Sequence, residues 1–442
     1  MANPTPNLVI TGKYLLTQDS GQTIIENGGI AIAGDRIIET GDGIALLDKY
    51  PGAAAIVEKH GLIMPGLINT HTHAAMACFR GIADDLPLMQ WLREYIFPVE
   101  AKLTPDMVYH STLLSICEMI KSGTTSFCDM YLFAADVARA ADEAGMRAWI
   151  GEVLYDFPSP NYGELENGFT YTEELFKKYS GHPRISITVD PHAVYTCSPD
   201  LLTKLGAMAA EKNARYVIHL SENRDEVNTC MERYGCSPVM HLENLGLLGE
   251  RVVADHCVMV TDDEIKLLAD RGVKVAHCME SNMKLASGIA PVVKMLAAGI
   301  TVGIGTDGSA SNNDVDMFGE MNTVAKIHKV VRMDPTAMDA ATTLKAATMG
   351  GAAVLGAEGE IGSLEAGKKA DLIVLDLNQP HLTPIYNPVS HLVYAARGSD
   401  VVHSVIGGRI VMRNRRLTLL DEPAILAKMG EIGEDIKRMR RE

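Results

Sequence analysis

The chain has 442 residues, 47% of them hydrophobic and 22% charged, a balance typical of a globular protein with a large buried core. Its formal net charge of −16 argues against nucleic acid or an anionic membrane as the main partner. No apolar run approaches the roughly 20 residues of a membrane-spanning helix, and no signal peptide is visible, so we expect a cytoplasmic protein.

The two ends of the chain have the texture of short β-strands. Near the N-terminus, residues 7–16 and 29–39 alternate apolar and polar residues, and a hairpin turn is predicted at Gly34-Asp35. After about residue 355 this texture returns, with a strand at 372–375 and a hairpin around Gly407-Gly408. We expect both ends to build one small β-domain beside the central part of the chain.

The central part alternates apolar runs of strand length with helical stretches. Eight runs are predicted to be strands: one ending at His71-Thr72-His73, then 124–129, 148–153, 185–190, 216–220, 252–256, 273–277 and 301–307. Helices are predicted between most of them: 134–144, 199–212, 262–270 and 291–298. Eight strand-helix units indicate an α/β protein with a (β/α)8, TIM-like barrel.

This pattern divides the chain into four predicted parts. The C-terminal part is a charged amphipathic helix. We expect it to lie on the surface in contact with solvent, with a role in interaction as the alternative. The parts are the first half of a β-sandwich (1–61), a catalytic barrel (62–356), the second half of the sandwich (357–421) and the C-terminal helix (422–442).

The histidines are distributed unevenly over this predicted barrel. Barrel enzymes carry their chemistry at the C-terminal ends of the strands. Six of the 14 histidines fall at or just past such an end: His71, His73, His192, His219, His256 and His277. The other eight are interpreted as surface or core residues: positions 60, 110, 182, 241, 328, 381, 391 and 403. Because residues two apart share a strand face, His71 and His73 point into the same space.

The ends of the fifth and eighth predicted strands complete a metal-binding pattern. His219 ends the fifth strand, and the chain must bend after Leu220 to bring Glu222 over the site as a proton shuttle. Asp307 follows the eighth strand. With His71, His73 and His219, it would give a nitrogen-rich shell that suits zinc and leaves room for water. The metal would lower the pKa of this water, and Asp307 could accept its proton.

Two histidines remain open in this interpretation. His256 is either a further ligand or an uncoordinated group that polarises the hydroxide, and we favour the second because four ligands are already assigned. For His277, a packing or supporting role is favoured over a catalytic one.

Other site types are disfavoured. The fourth strand ends in Asp190-Pro191-His192 without a lysine that could bridge two metals, so a single metal is expected. The eight cysteines include no Cys-x-x-Cys pair, which argues against a disulfide framework or a zinc–thiolate site. No Gly-x-Ser-x-Gly elbow, dinucleotide fingerprint or phosphate-binding loop is present.

Six stretches that span the barrel carry a family resemblance: PGLINTHTHAAM (65–76), RGIADDLPLMQWL (80–92), HLSEN (219–223), DHCVMV (255–260), ESNMKLASGIAPV (280–292) and GTDGSASNND (305–314). The sequence resembles the amidohydrolase superfamily and, within it, deaminases of 5'-methylthioadenosine and S-adenosylhomocysteine. The resemblance implies one zinc ion per chain, with Fe²⁺ or Mn²⁺ as alternatives, bound by His71, His73, His219 and Asp307.

The resemblance also implies roles for residues around the metal. Glu222 would shuttle protons to the purine ring, and His256 would orient a hydroxide that adds to C6. Ammonia would leave, giving an inosine-type product. Glu100 would contact the ribose hydroxyls, His192 the purine end and Trp91 the 5' substituent. The expected partner is thus a small nucleoside, and a homo-oligomer is plausible.

The sequence differs from the family pattern in one region that bears on the choice of substrate. Some members that accept S-adenosylhomocysteine carry arginines after the third strand for its carboxylate, whereas residues 151–167 contain no arginine or lysine. Glu152 and Glu164 stand there instead and would repel a carboxylate. We therefore expect 5'-methylthioadenosine, or a similar uncharged 5'-modified adenosine, to be preferred.

Two alternatives to this function remain. One is a related amidohydrolase that acts on a free base or a triazine, such as a guanine or cytosine deaminase or a chlorohydrolase. The more remote one is a non-catalytic scaffold, which would be expected to lack the metal ligands found in this chain.

Overall fold

The structure, a computed structural model, describes residues 5–440. The first four residues of the segment searched for a signal peptide and the last two of the predicted C-terminal helix lie outside this range. The described residues form 18 strands: β1 (Leu8–Leu16), β2 (Ile24–Glu26), β3 (Gly28–Ala33), β4 (Arg36–Asp42), β5 (Ala54–Pro65), β6 (Leu67–Thr72), β7 (Thr124–Tyr131), β8 (Arg147–Leu154), β9 (Ile185–Ile187), β10 (Asp190–Pro191), β11 (Tyr216–Leu220), β12 (Val252–His256), β13 (Lys274–His277), β14 (Val302–Ile304), β15 (Leu372–Asp376), β16 (Val401–Ile406), β17 (Arg409–Arg413) and β18 (Arg416–Leu417).

Between the strands run 17 α-helices: α1 (Gly43–Lys49), α2 (Leu88–Gln90), α3 (Phe97–Glu100), α4 (Pro105–Lys121), α5 (Ala134–Glu143), α6 (Leu165–Lys178), α7 (Pro199–Lys212), α8 (Arg224–Tyr234), α9 (Pro238–Asn244), α10 (Asp262–Asp270), α11 (Met279–Lys284), α12 (Val292–Ala297), α13 (Met317–Arg332), α14 (Ala340–Lys345), α15 (Gly351–Leu355), α16 (Pro388–Tyr394) and α17 (Glu422–Met439). Short 3₁₀ or π-helical turns occur at Ala74–Phe79, Trp91–Ile96, Ala346–Gly350, Pro380–Leu382 and Gly398–Asp400. Within residues 5–440, none of the helices is both long and apolar enough to cross a membrane.

The four predicted barrel helices are confirmed, because their ends carry strong local signals. The helix α7 starts where Ser198 accepts a hydrogen bond from the Leu201 amide, and Pro199 occupies its first turn. The helix α10 starts with a capping box, in which Thr261 and Glu264 bind each other's backbone amides.

The two chain ends meet in one hydrogen-bonded sheet of nine strands. Its order is β18-β17-β16-β15-β5-β1-β3-β4, and β2 pairs with β1. The long strand β5 joins the two halves, since it is parallel to β1 and antiparallel to β15. Both predicted hairpins are confirmed: β3 and β4 turn at Gly34-Asp35, and β16 and β17 turn at Gly407-Gly408.

The predicted boundary between residues 61 and 62 falls inside β5, which continues in the sheet as far as Pro65. We therefore propose Gly66 as the boundary between sheet and barrel. The backbone runs tightly there, because a Cβ on Gly66 would lie 2.0 Å from the Thr125 hydroxyl oxygen. The division into four parts otherwise remains a proposal.

The central strands form two parallel sheets, β10-β8-β7-β6 with β9 beside β8, and β11-β12-β13-β14. All eight predicted strand regions contain a strand. The fourth is split into β9 and β10, with Thr188 and Val189 between them. Val189 bridges to Tyr216 at one seam, and at the other the Asp307 amide donates to the His71 carbonyl over 3.0 Å. These contacts are consistent with a closed (β/α)8 barrel.

The C-terminal helix α17 is amphipathic, as predicted: its polar residues are exposed to solvent and its apolar face is buried. It buries Ile425, Ile432 and Ile436 on the face that packs against α4. At its start, Glu422 lies 2.6 Å from Lys121 of α4. The helix therefore closes the side of the barrel where α4 leads into β7.

Candidate metal and substrate site

Four of the predicted site residues meet at the rim of the barrel. His71 lies in β6, His73 directly after it, His219 in β11, and Asp307 after β14. Nε2 of His73 lies 3.3 Å from Nε2 of His219 and 3.2 Å from Oδ1 of Asp307. Nε2 of His71 lies 3.6 Å from the same carboxylate oxygen. The structure thus brings all four predicted ligands to one point.

In each of the three histidines, the other ring nitrogen, Nδ1, lies close to an oxygen on the side away from the site. Nδ1 of His71 lies 3.0 Å from Asp255 Oδ2, Nδ1 of His73 lies 2.5 Å from the Met130 carbonyl, and Nδ1 of His219 lies 2.8 Å from the His192 carbonyl. Because these partners are acceptors, each Nδ1 carries the proton and each Nε2 presents a lone pair. Three lone pairs and a carboxylate facing one point repel each other unless a cation lies between them. The donor set therefore fits a divalent metal.

The ionisation states of His219 and Asp307 agree with this interpretation. In the metal-free protein, Asp255 and Asp307 hold the pKa of His71 well above its ordinary value against the effect of its burial. Burial and the neighbouring histidines hold the pKa of His219 well below its ordinary value, so it stays neutral and can bind a metal. Burial alone would raise the pKa of Asp307, but the neighbouring imidazoles of His71 and His73 hold it well below its usual range. Asp307 is therefore an anion in this site.

The two open histidines occupy different places. Nε2 of His256 lies 3.9 Å from Asp307 Oδ2, within reach of the metal site, and burial lowers the pKa of His256. His256 also lines the cavity above the site. His277 does not line this cavity: it is fully buried, with Nε2 3.1 Å from Nε2 of His328. This position favours the packing role for His277.

Glu222 reaches the site through a sharp bend. Ser221 has a φ of +53°, and the two amides of Ser221 and Glu222 donate to the Glu226 carboxylate over 2.9 and 2.7 Å. The bend is predicted from the sequence, but the part that Glu226 plays in holding it is not. Its signal was Asn223 followed three residues later by glutamate, a helix-start pattern in which Asn223 caps α8 and Glu226 turns back to the preceding loop.

We predict that Glu226→Gln lowers the free energy of unfolding by about 1–3 kcal/mol, because a glutamine NH₂ would face one of the two amide donors. The resulting shift of Glu222 should lower kcat about tenfold. Urea unfolding and steady-state kinetics would measure both. Glu232→Gln, on the exposed side of the same helix, is the matched control. Unchanged stability and kcat in Glu226→Gln would show that the bend does not need this carboxylate.

The cavity above the metal site also contains the predicted substrate contacts. Glu100, Trp91 and His192 line it together with His73, His219 and Asp307. The Tyr131 hydroxyl donates to one oxygen of Glu100 over 2.6 Å, which leaves the other oxygen to accept from a bound molecule. Tyr131 ends β7 beside the site, and the sequence offered no motif that would have identified it.

The outer wall of this cavity is aromatic. The rings of Tyr155 and Phe157 stack with their centroids 3.8 Å apart, and Phe97 approaches Phe157 at 6.2 Å. Among the described residues that line the cavity there is no lysine or arginine. A charged end group of a ligand would find no opposite charge on this wall.

The expected position of Glu152 and Glu164 beside the substrate is wrong. Glu152 is fully buried and points into the structure, where it accepts hydrogen bonds from the Ala134 amide (2.7 Å) and the Asn161 side chain (2.9 Å). Glu164 is exposed at the start of α6. Neither lines the cavity, so these two acids do not face a bound molecule.

Comparison with known proteins agrees with this geometry. The profile of the Amidohydrolase family matches residues 62–411. A protein of Syntrophobacter fumaroxidans named 5-methylthioadenosine/S-adenosylhomocysteine deaminase is 52% identical over 99% of this chain and 100% of its own length.

Two solved structures are also similar. A zinc-bound adenosine deaminase from Xanthomonas campestris has a TM-score of 0.96 and 38% identity, covering 98% of this chain and 100% of its own. The zinc-bound atrazine chlorohydrolase TrzN from Arthrobacter aurescens has a TM-score of 0.89 and 25% identity, covering 96% and 100%. The chain therefore belongs to the amidohydrolase family, in which it groups with proteins named 5-methylthioadenosine/S-adenosylhomocysteine deaminase.

Proposed function

We propose that this protein is a zinc-dependent deaminase that hydrolyses a 5'-modified adenosine to the inosine analogue and ammonia. The observation that carries the proposal is the placement of Glu222 and Asp307 in the wall of one cavity with His73 and His219. The names of the full-length relatives supply the reaction class. Zinc is favoured because three imidazoles and one carboxylate are its usual ligands, and Fe²⁺ or Mn²⁺ would be the alternatives.

The proposed reaction uses groups on opposite sides of the purine. A divalent metal, when bound, polarises a water molecule and lowers its pKa towards neutrality. Asp307 Oδ2 would accept the proton that a water molecule loses as it adds to C6, and His256 Nε2 would orient that water. Glu222 would donate a proton to the ring nitrogen N1. The proton held by Asp307 would then pass to the amino group, which leaves as ammonia, and the C6 hydroxyl would return a proton to Glu222 as the carbonyl forms. Burial raises the pKa of Glu222 to about 8, which favours a carboxylic acid that can donate.

The remaining predicted residues would orient the nucleoside. Glu100 has one carboxylate oxygen available for the ribose hydroxyls, since Tyr131 occupies the other. His192 is fixed by the Thr196 hydroxyl at 2.8 Å, and burial lowers its pKa to about 3, so it faces the purine end as a neutral imidazole. Trp91 would cover the 5' substituent.

We infer a preference for 5'-methylthioadenosine over S-adenosylhomocysteine from the aromatic wall. A methylthio group is small and apolar and suits contact with Tyr155 and Phe157. The amino acid end of S-adenosylhomocysteine would bring a carboxylate against a wall without cations. Moving a charged group out of water without an opposite charge beside it costs free energy, which weakens binding.

A substrate panel tests the proposal. We expect kcat/KM for 5'-methylthioadenosine to exceed that for S-adenosylhomocysteine about tenfold or more, with guanine and a chlorotriazine far slower. Loss of adenosine absorbance and ammonia release would be measured together. A chlorotriazine or guanine as the best substrate would reject the proposed function in favour of the free-base alternative.

We further predict that Phe157→Arg raises the ratio of kcat/KM for S-adenosylhomocysteine to that for 5'-methylthioadenosine about tenfold, since a charge-assisted hydrogen bond contributes about 1.5–3 kcal/mol. The phenylalanine ring is 41% exposed, so an arginine has room to turn into the cavity. Phe157→Leu, which removes the ring without adding charge, is the matched control. An equal ratio in both variants would show that this wall does not select the 5' group.

We also propose that the protein works in the cytoplasm, supported by eight cysteines that are all free thiols.

A further inference from the structure

The short helix α11 lies beside the metal site without supplying a ligand to it. Most of it lies in the stretch ESNMKLASGIAPV at 280–292, and no residue of this stretch has a role in the reaction proposed above. Two consecutive residues of this helix, Ser281 and Asn282, are fully buried. Each of them contacts a different group of the proposed reaction.

Ser281 holds one oxygen of Asp307. Its hydroxyl donates to Asp307 Oδ2 over 2.6 Å, and the Ser311 hydroxyl lies 3.0 Å behind it. The other oxygen, Oδ1, faces His71 and His73 and accepts from the Gly308 amide over 2.8 Å. The two carboxylate oxygens therefore have separate partners. Without the serine hydroxyl, the carboxylate could rotate about its side-chain bond.

Asn282 holds the ring of His256. Its Oδ1 lies 2.9 Å from Nδ1 of His256, while its Nδ2 has no hydrogen-bond partner among the described residues. With Oδ1 as acceptor, Nδ1 carries the ring proton and Nε2 keeps its lone pair. That lone pair faces the side of the cavity where Asp307 Oδ2 lies 3.9 Å away.

We propose that Ser281 and Asn282 are the positioning residues of this site. Ser281 fixes the Asp307 carboxylate so that Oδ1 faces His71 and His73 while Oδ2 is turned towards the proton transfer. Asn282 fixes the tautomer in which His256 Nε2 can accept a hydrogen bond from the attacking water. The kinetic part of this proposal rests on the proposed deamination, whereas the metal-binding part of the Ser281 role does not.

Zinc affinity tests Ser281 independently of activity. The metal-free protein is titrated with zinc against a chromogenic chelator, for wild type, Ser281→Ala and Ser281→Cys. We expect both variants to bind zinc about 10–100-fold more weakly, as for other partners of metal ligands. Cysteine is somewhat larger than serine and its thiol is a weak donor, so equal losses in both variants would assign the effect to the hydrogen bond rather than to a cavity. Wild-type affinity in both variants would overturn the Ser281 role.

Kinetics test Asn282 on the zinc-loaded protein. We expect Asn282→Leu to lower kcat for 5'-methylthioadenosine about 100-fold, with KM and zinc affinity each changed by less than about threefold. Asn282→Asp keeps an acceptor oxygen opposite Nδ1 and should retain kcat to within about tenfold of wild type. If the aspartate variant is as slow as the leucine variant, the tautomer assignment is wrong.

Ser287→Ala is the control for both measurements, because its buried hydroxyl follows α11 but has no partner among the described residues. This variant should match wild type in kcat, zinc affinity and urea midpoint. Equal losses in Ser287→Ala would mean that the helix acts only through packing. A wild-type protein that binds zinc but deaminates none of the nucleosides would reject the proposed function, and the zinc titrations would still decide the role of Ser281.

Discussion

Replacement of Glu222 by glutamine is expected to lower kcat about a thousandfold, within the range that a positioned acid–base group contributes. Glutamine has nearly the same shape but can neither donate a carboxylic acid proton nor take one back. Among residues 5–440, no hydrogen bond or ion pair reaches the carboxyl group of Glu222, which is 5% exposed and lines the cavity. Its side chain is therefore available for the substrate, and the loss should fall on kcat rather than on folding.

The measurement is kcat and KM for 5'-methylthioadenosine, together with the metal content of each protein. Metal content should be the same in Glu222→Gln and wild type, because the carboxyl group is not one of the ligands. Asp225→Asn, an exposed carboxylate three residues further along, controls for the loss of a negative charge. A Glu222→Gln variant that retains a tenth or more of wild-type kcat would assign the proton transfer to another group.

Stability gives an independent readout with a defined sign. In the metal-free protein the folded-state pKa of Glu222 is raised from 4.5 to about 8 by burial and by Asp307. The unfolded protein holds this proton less tightly, so the contribution of Glu222 to stability is fully present below pH 4.5 and is lost as the pH rises towards 8. Glutamine does not titrate. The stability of Glu222→Gln relative to wild type should therefore increase from pH 5 to pH 8, as urea unfolding would measure.

The ligand positions were predictable because they follow from strand periodicity and barrel topology. His71 and His73 share a strand face, and the ends of parallel strands meet at one rim. The sequence therefore located His219 and Asp307 in the same space without knowledge of any loop. The split of the fourth strand was less visible, since it arises where Val189 pairs with Tyr216 of the following strand.

The supporting residues were not predictable, because they join segments far apart in sequence. Tyr131 contacts Glu100 across 31 residues, and Ser281 contacts Asp307 across 26. No local periodicity marks such pairs. The position of Glu152 was not predictable for another reason. It lies in a buried strand, where a side chain can point to either side of the sheet.

The second large effect is expected from removal of the metal. Treatment with a chelator should lower kcat/KM at least a thousandfold, because activation of water and orientation of the ligands are both lost and each 1.36 kcal/mol changes the rate tenfold. Activity should return as zinc is added, with saturation near one zinc per chain. The same titration with Fe²⁺ and Mn²⁺ would identify the metal that supports the highest kcat.

A ligand variant separates metal loss from side effects of the chelator. His219→Gln removes one of three lone pairs and should leave less than about a tenth of a metal per chain after dialysis. His391→Gln, whose ring contacts backbone carbonyls at the surface, should keep its metal and its activity. Bound metal also stabilises the fold, by about 4 kcal/mol at a free concentration 1,000 times Kd, so the metal-free protein should unfold at lower urea. If His219→Gln still deaminates the substrate without bound metal, then His71, His73, His219 and Asp307 do not serve to bind a catalytic metal.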